Sequence, residues 1–171
     1  MSDKIIRILL IENNSGDARS IRETLADTTM TDPAIPSFDL TCARRLSSGL
    51  KRLAKGRFDV LLLDLSLPDS QGLDAFVKAR AQAPETPVVI LSDGEDRRLA
   101  LDAMRQGAQD YLVKGEVSGS LLVRAIQYAI ERRQAEGALR KRIERELGES
   151  EEKFRTLAEQ SPNMIFINRR A

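Results

Sequence analysis

The sequence predicts an α/β domain, a doubly wound five-stranded parallel sheet, followed by a long C-terminal helix. Three observations predict it. Apolar runs of strand length alternate with segments of helical period through about residue 130. The later runs carry almost no polar alternation, which a parallel sheet covered on both faces requires. Turn and capping residues stand at the junctions.

The strands are expected at 5–11, 38–42, 58–63, 87–91 and 110–113. Ile5 to Ile11 is too short for a membrane span, is interrupted by Arg7, and is followed by no small-residue cleavage pattern, so it reads as a strand. Between the strands, Ala18, Ile21 and Leu25 lie at helical spacing, as do Leu46, Leu50 and Leu53. Leu73, Phe76 and Val77 repeat that spacing, followed by Leu99, Ala100, Ala103 and Met104. Ser15 is the expected cap of the first helix, Gly56 and Gly107 end the second and fourth, and Pro84 stops the third. Five β–α units in this length give the doubly wound class.

Composition narrows the function. With 171 residues there is room for one ordinary domain and an appendage. Lys and Arg total 27 against 26 Asp and Glu, a net charge of +1, so no basic footprint marks nucleic acid or membrane as a partner. The chain has no histidine, which excludes a histidine base, a histidine metal site and a phosphohistidine of its own. A single Cys42 forms no internal disulfide and no zinc cluster, so a reducing, cytoplasmic setting is expected.

After residue 130 the character changes. From Glu131 to Arg155, 15 of 25 residues are charged and none is proline. Ala135, Leu139, Ile143 and Leu147 mark one face at steps of four, and Phe154, Leu157 and Ala158 resume it. Steps of four interrupt a heptad as a stutter does. A stripe this narrow calls for a partner, so a parallel two-helix coil over 133–160 is expected. The alternative is a solvated single helix supported by pairs such as Glu136–Arg140. Ser161-Pro162 stops the helix, and 163–168 reads as a new strand with no core to join, so the chain reads as a piece of something longer.

In an open parallel sheet, ligands bind beyond the carboxyl ends of the strands. Those ends supply Glu12-Asn13-Asn14, Asp64, Ser92-Asp93 and Lys114. Phosphoryl transfer to a carboxylate suits this set. Asp64 is the nucleophile. Glu12, Asn13 and Asp64 offer oxygens to Mg²⁺, Lys114 a point charge and Ser92 a hydroxyl. Singly, each has a plainer reading: Asp64 as a turn residue, Lys114 as a solvated cation, Ser92 as the cap of the fourth helix. Jointly, and in order, they point to chemistry.

The chain resembles the receiver domains of two-component response regulators. The matching stretches are Ile8 to Asn13, Leu61 to Gly72, Val88 to Ser92, and Gly107 to Lys114, within about residues 4–132. The resemblance implies a flavodoxin-like strand order 2-1-3-4-5 and a phosphoacceptor at Asp64. It implies a switch pair of Ser92 and Tyr111, with Lys114 on the phosphoryl group. Mg²⁺ would be held by Glu12, Asn13, Asp64 and the Ser66 carbonyl. A histidine kinase or phosphotransfer protein would be the partner, and the module would not be an enzyme. Glu149 to Glu159, followed by Ser161-Pro162, is similar to the entry of a PAS domain. The expected organisation is receiver over 1–132, signalling helix and homodimer coil over 133–160, and truncated PAS start over 161–171.

Three positions depart from that family. Asn13 stands where a second carboxylate is usual, and an amide oxygen brings no charge to a metal. Asp93 puts an acid where a small residue usually follows Ser92, beside the incoming phosphate. Gly115 follows Lys114 where proline and a cis bond are usual. A cis bond before Gly costs about 2.5–4 kcal/mol, so a trans bond or a strained site is expected. Two functions remain open: a phosphorylated switch, or a degenerate receiver kept as a dimerisation scaffold.

Overall fold

A computed structural model describes residues 4–160 of the chain. In chain order its elements are β1 Ile5–Ile11, α1 Ser15–Thr31, β2 Ser37–Ala43, α2 Leu46–Lys55, β3 Val60–Asp64, β4 Ser66–Leu67 and β5 Ser70–Gln71. They continue with α3 Asp74–Gln82, β6 Val88–Ser92, α4 Arg97–Arg105, β7 Asp110–Val113 and α5 Gly119–Gln160. The chain divides after Arg133 into two compact units. The strand expected at 163–168 lies outside the described residues.

The main sheet is all parallel, in the order β2-β1-β3-β6-β7. Counted over the five predicted strands this is 2-1-3-4-5, the doubly wound order expected from sequence. β4 and β5 are the addition: a two-residue antiparallel hairpin between β3 and α3 that the sequence reading did not contain. Two of the five expected strands match their bounds and the other three shift by no more than two residues at either end, so that Asp64 and Ser92 close their strands instead of following them.

Alternate residues of the buried strands feed two cores. Leu9, Ile11, Leu61, Leu63 and Ile90 face α2, α3 and α4, where Leu46, Phe76, Ala100 and Ala103 cover them. Ile8, Leu10, Leu62, Val89 and Leu112 face α1 and α5, where Leu25, Leu122, Ile126 and Ile130 cover them. At roughly 1.5–3 kcal/mol for each large apolar side chain removed from water, these two layers are the main stabilising contribution. α2 approaches β1 so closely that a Cβ on Gly49 would collide with the Ile11 side chain.

Register then sets the functional edge. Ile11 pairs with Leu63, Asp64 with Leu91, and Ser92 with Val113. Glu12, Asp64, Ser92 and Lys114 therefore leave the sheet within one residue of the same level. Backbone bonds fix the outer two: Glu12 N–H donates to the Ala43 carbonyl at 2.9 Å, and Lys114 N–H to that of Ser92 at 2.7 Å.

Helix ends correct two expectations. Asn14, not Ser15, caps α1, its side-chain oxygen accepting from Gly16 N–H at 2.8 Å and Asp17 N–H at 3.1 Å. Both residue types cap well, and here Asn14 keeps extended backbone while Ser15 is already helical. Ser92 does not cap α4, which begins at Arg97; its Oγ accepts from Gly94 N–H at 3.2 Å. The N-terminus of α2 has no local cap. Instead Asp69, 23 residues on, receives Leu46 N–H at 2.8 Å and Ser47 N–H at 2.9 Å. The Ser47 N–H holds the Asp69 carboxyl below its ordinary 3.8 against the opposing effect of burial, and the Leu46 N–H adds to the lowering.

No peptide bond among the described residues is cis, so the Lys114–Gly115 bond takes the trans form. Gly115 reverses the chain at φ +84° instead.

Two variants test these local devices. Asp69→Ala should lose about 1 kcal/mol by thermal or urea unfolding, as removal of a helix cap does. A carboxyl lowered by folding stabilises fully above its unfolded value and loses that effect as pH falls through its native value. The deficit of Asp69→Ala against the parent should therefore be full at neutral pH and shrink below about 3.8. Gly115→Ala should cost about 1–2 kcal/mol by the same measurement, from its left-handed backbone alone. An added Cβ there meets nothing within 4 Å.

Candidate functional site

The site is built around one ammonium group. Lys114, just past β7, places Nζ 2.7 Å from Glu12 Oε2 and 3.2 Å from Asp64 Oδ2. It also lies 3.4 Å from Asp17 Oδ2 and 3.4 Å from Asp93 Oδ1. Glu12 and Asp64 are buried, at 2% and 4% exposure, whereas Asp17 and Asp93 are partly or largely open to solvent. Four carboxylates converge on a single cation.

Local structure places each. Asp64 ends β3, and one of its oxygens accepts Ser66 N–H at 3.0 Å, turning the chain into the β4–β5 hairpin. Glu12 ends β1, with Oε1 accepting Asn14 N–H at 3.1 Å. Its other oxygen, Oε2, is buried and sits 2.7 Å from the Lys114 ammonium, a charge-assisted hydrogen bond. Asp17 stands in the first turn of α1, where an acid also complements the helix dipole.

The electrostatics follow from burial. Desolvation pushes the Glu12 carboxyl up to about 7, the Lys114 ammonium and Asn14 N–H oppose it, and the Asp64 charge adds to it. For Lys114, burial alone would favour the neutral amine. The contact with Glu12 and the charges of Asp64 and Glu12 outweigh it, and the ammonium is held more firmly than an exposed lysine.

Of the residues singled out in sequence, Glu12, Asp64 and Lys114 come together directly. Ser92 is buried at the end of β6, its hydroxyl turned to its own loop. Tyr111 is half-buried on β7 beside the α2–α4 core, paired in register with Ile90 and two positions from the level of Ser92. Asn13 is exposed in the β1–α1 turn. Ser66 is exposed, and its hydroxyl donates to Asp96 Oδ2 at 3.0 Å.

Asp17 was missed by the sequence reading. Its only signal is an acid five residues after Glu12, in a first helical turn where acids are ordinary. Asp93, expected beside a phosphate, is drawn to Lys114 instead.

No group of three or more His, Cys, Asp or Glu able to hold a metal is found among the described residues. The donors that suit a hard divalent cation here are fewer and mixed: two carboxylates, the Asn13 amide oxygen and the Ser66 carbonyl. The donor chemistry fits such an ion, with the buried Glu12 and Asp64 carboxylates supplying the anionic charge. No described helix is long and apolar enough to cross a membrane.

Comparison with known proteins agrees with this geometry. A family model for the response regulator receiver domain matches residues 8–127. The alginate biosynthesis transcriptional regulatory protein AlgB of Pseudomonas aeruginosa is 35% identical over 113 residues, 66% of this chain and 23% of that protein. The swarming motility regulation protein RssB of Serratia marcescens is 28% identical over 130 residues, 76% of this chain and 55% of that protein. The chain thus matches from about a quarter to about half of the length of these relatives. Among solved structures, a response regulator receiver domain protein from Clostridium thermocellum superposes with a TM-score of 0.65 at 25% identity, over 76% of this chain and 98% of that one. The receiver domain of sensor histidine kinase PA1611 from Pseudomonas aeruginosa PAO1, with a magnesium ion in its active site cleft, gives 0.61 at 25% identity, over 75% and 99%. With the doubly wound sheet and the carboxylate–lysine edge in place, the chain belongs to the response regulator receiver family.

Proposed function

We propose that the domain over residues 1–132 is a phosphoacceptor switch of a two-component system, taking a phosphoryl group on Asp64 from a partner histidine kinase or phosphotransfer protein. The observation that carries this is the convergence of Glu12, Asp64 and Lys114 at the carboxyl edge of the sheet. It is a signalling module in the cytoplasm and not an enzyme in its own right.

An Asp64 carboxylate oxygen bonds to phosphorus as the bond from phosphorus to the donor nitrogen breaks, giving an acyl phosphate. Lys114, already 3.2 Å from Asp64, supplies positive charge to the new phosphoryl oxygens. Bound Mg²⁺, held by Glu12, Asn13, Asp64 and the Ser66 carbonyl, would neutralise charge on the transferring group. The Ser92 hydroxyl accepts from Gly94 N–H and retains its own proton to donate, so it can turn towards the phosphoryl group. Tyr111, diagonal to it on β7, follows into the space left, changing the α4 surface.

Intact mass after incubation with acetyl phosphate and Mg²⁺ tests this. One phosphoryl group should be gained by the parent and none by Asp64→Asn. Labelling that survives the substitution removes Asp64 from the role.

A second role is supported by α5. Beyond Arg133, Leu139, Ile143, Leu147, Phe154 and Leu157 are each about half exposed, an apolar stripe along a helix otherwise stabilised by pairs such as Arg142–Glu146 at 3.3 Å. The stripe suits a homodimer through 133–160, a signalling helix leading into a PAS start over 161–171. If phosphorylation does not occur, that dimer is the function, as a scaffold. Light scattering should give two chains per particle for residues 1–171 and one for residues 1–133. A dimer that persists after the truncation places the interface elsewhere.

A further inference from the structure

We infer that Asp96 is a latch between the phosphoacceptor turn and α4. In the unphosphorylated domain it holds Ser66 and leaves α4 without a cap, and it caps α4 when Ser66 lets go. Its link to signalling rests on the reading of Asp64 as phosphoacceptor above.

The sequence sets an acid directly before α4, where Asp is among the preferred capping residues. Asp96 does not serve there. Its backbone, at φ −92° and ψ 26°, lacks the extended shape of a capping residue, and its side chain bonds none of the first N–H groups of the helix. The carboxylate instead accepts the Ser66 hydroxyl, 30 residues back in the chain, at 3.0 Å. The first turn left uncapped carries no acid and begins with Arg97 and Arg98, two cations at the positive end of the helix dipole. α4 thus starts against its own dipole while the acid that would relieve it is engaged elsewhere.

Ser66 ties this contact to the site. Its N–H donates to Asp64 Oδ1 at 3.0 Å, so one residue joins the reacting carboxylate to the start of α4. The connection between β6 and α4 is held a second time from the same edge, by Gly94 N–H on Ser92 Oγ at 3.2 Å. Gly94 turns the chain there at φ +90°. When Asp64 takes a phosphoryl group, its carboxylate becomes an acyl group, a weaker acceptor for the Ser66 N–H. Ser92 turns to the new oxygens and releases Gly94, so both holds slacken together. The Asp96 carboxylate then has the Arg98 and Leu99 N–H groups, two and three residues on, as its alternative partners. Asp96 touches no reacting atom: it is a positioning residue, acting through Ser66.

Amide hydrogen exchange of the full 171-residue chain, followed residue by residue by NMR, tests the latch. Thermal melting and the amides of α2 check the fold of every variant. With no phosphodonor present, Ser66→Ala should slow exchange of the Arg98 and Leu99 amides roughly fivefold, the protection a cap supplies. Ser66→Thr, which keeps the hydroxyl, should match the parent. Asp96→Ala should not slow these amides, and adding Ser66→Ala to it should change nothing further. Exchange in Ser66→Ala no slower than in the parent overturns the inference. Equal slowing in the double variant overturns it too, since Asp96 would then not be the cap. Acetyl phosphate and Mg²⁺, added to the parent, should slow the same two amides as one phosphoryl group is gained by mass. A labelled parent without that slowing overturns the link to signalling and leaves Asp64 as phosphoacceptor. A parent that takes no label removes that link together with the phosphoacceptor reading, while the Ser66→Ala result still decides the latch.

Discussion

The contact on which the functional edge depends is the ammonium of Lys114 between Glu12 and Asp64. Two carboxylates buried at one sheet edge repel each other and lose hydration, and both effects are unfavourable. A cation 2.7 Å from one and 3.2 Å from the other opposes both, though at Glu12 burial still prevails. Such a cluster adds little net stability compared with apolar packing, but removal of the cation leaves buried charge uncompensated, which is far worse. The fold therefore has to deliver Lys114 to one place, and register does so. β6 holds β7 through the Lys114 N–H bond to Ser92, and Gly115 turns the chain away at once.

The same register explains why the edge is buried where chemistry is proposed and open to solvent beside it. Asp64 and Glu12 stand on central strands, packed on both faces by apolar layers. Asp17 and Asp93 stand on the connections that follow β1 and β6, with longer contacts and more solvent. α5 shows a parallel contrast along one element. Its first turns bury Leu122, Ile126 and Ile130 against the sheet, while beyond Arg133 its apolar residues are open.

Much of this was legible in the sequence because parallel strands are apolar on both faces and stand out from their surroundings. The order of strand ends carried Glu12, Asp64, Ser92 and Lys114 to one edge before any contact was known. What escaped reading depends on contacts remote in sequence or on choices between equals. Asn14 and Ser15 are adjacent and both cap well, so only the backbone decides between them. The cap of α2 comes from Asp69 across a loop, which no local spacing rule finds. The β4–β5 hairpin is two residues a side, below the length at which alternation is visible. Asp17 carries no more signal in sequence than any acid in a first helical turn, and only the fold sets it 3.4 Å from Lys114. The strand expected at 163–168 lies outside the described residues, so the PAS start rests on sequence alone.

Charge connects the departures at Asn13 and Asp93, which the sequence presented as unrelated. Asn13 removes one carboxylate from the acidic turn, while Asp17 and Asp93 bring two to Lys114. An ammonium has three N–H donors, so four carboxylates cannot all be hydrogen-bonded to it at once. At least one is held by charge alone, and the two contacts at 3.4 Å, both to the more exposed acids, are the weaker pair. On the proposed function, a phosphoryl oxygen arriving at Asp64 competes for Lys114 with these outer acids and not with the buried Glu12 at 2.7 Å. Solvent can take up the charge of Asp17 or Asp93 once released, because both reach water; it cannot do so for Glu12. On that reading Asp93 is less an obstacle to phosphate than a displaceable counter-charge to Lys114.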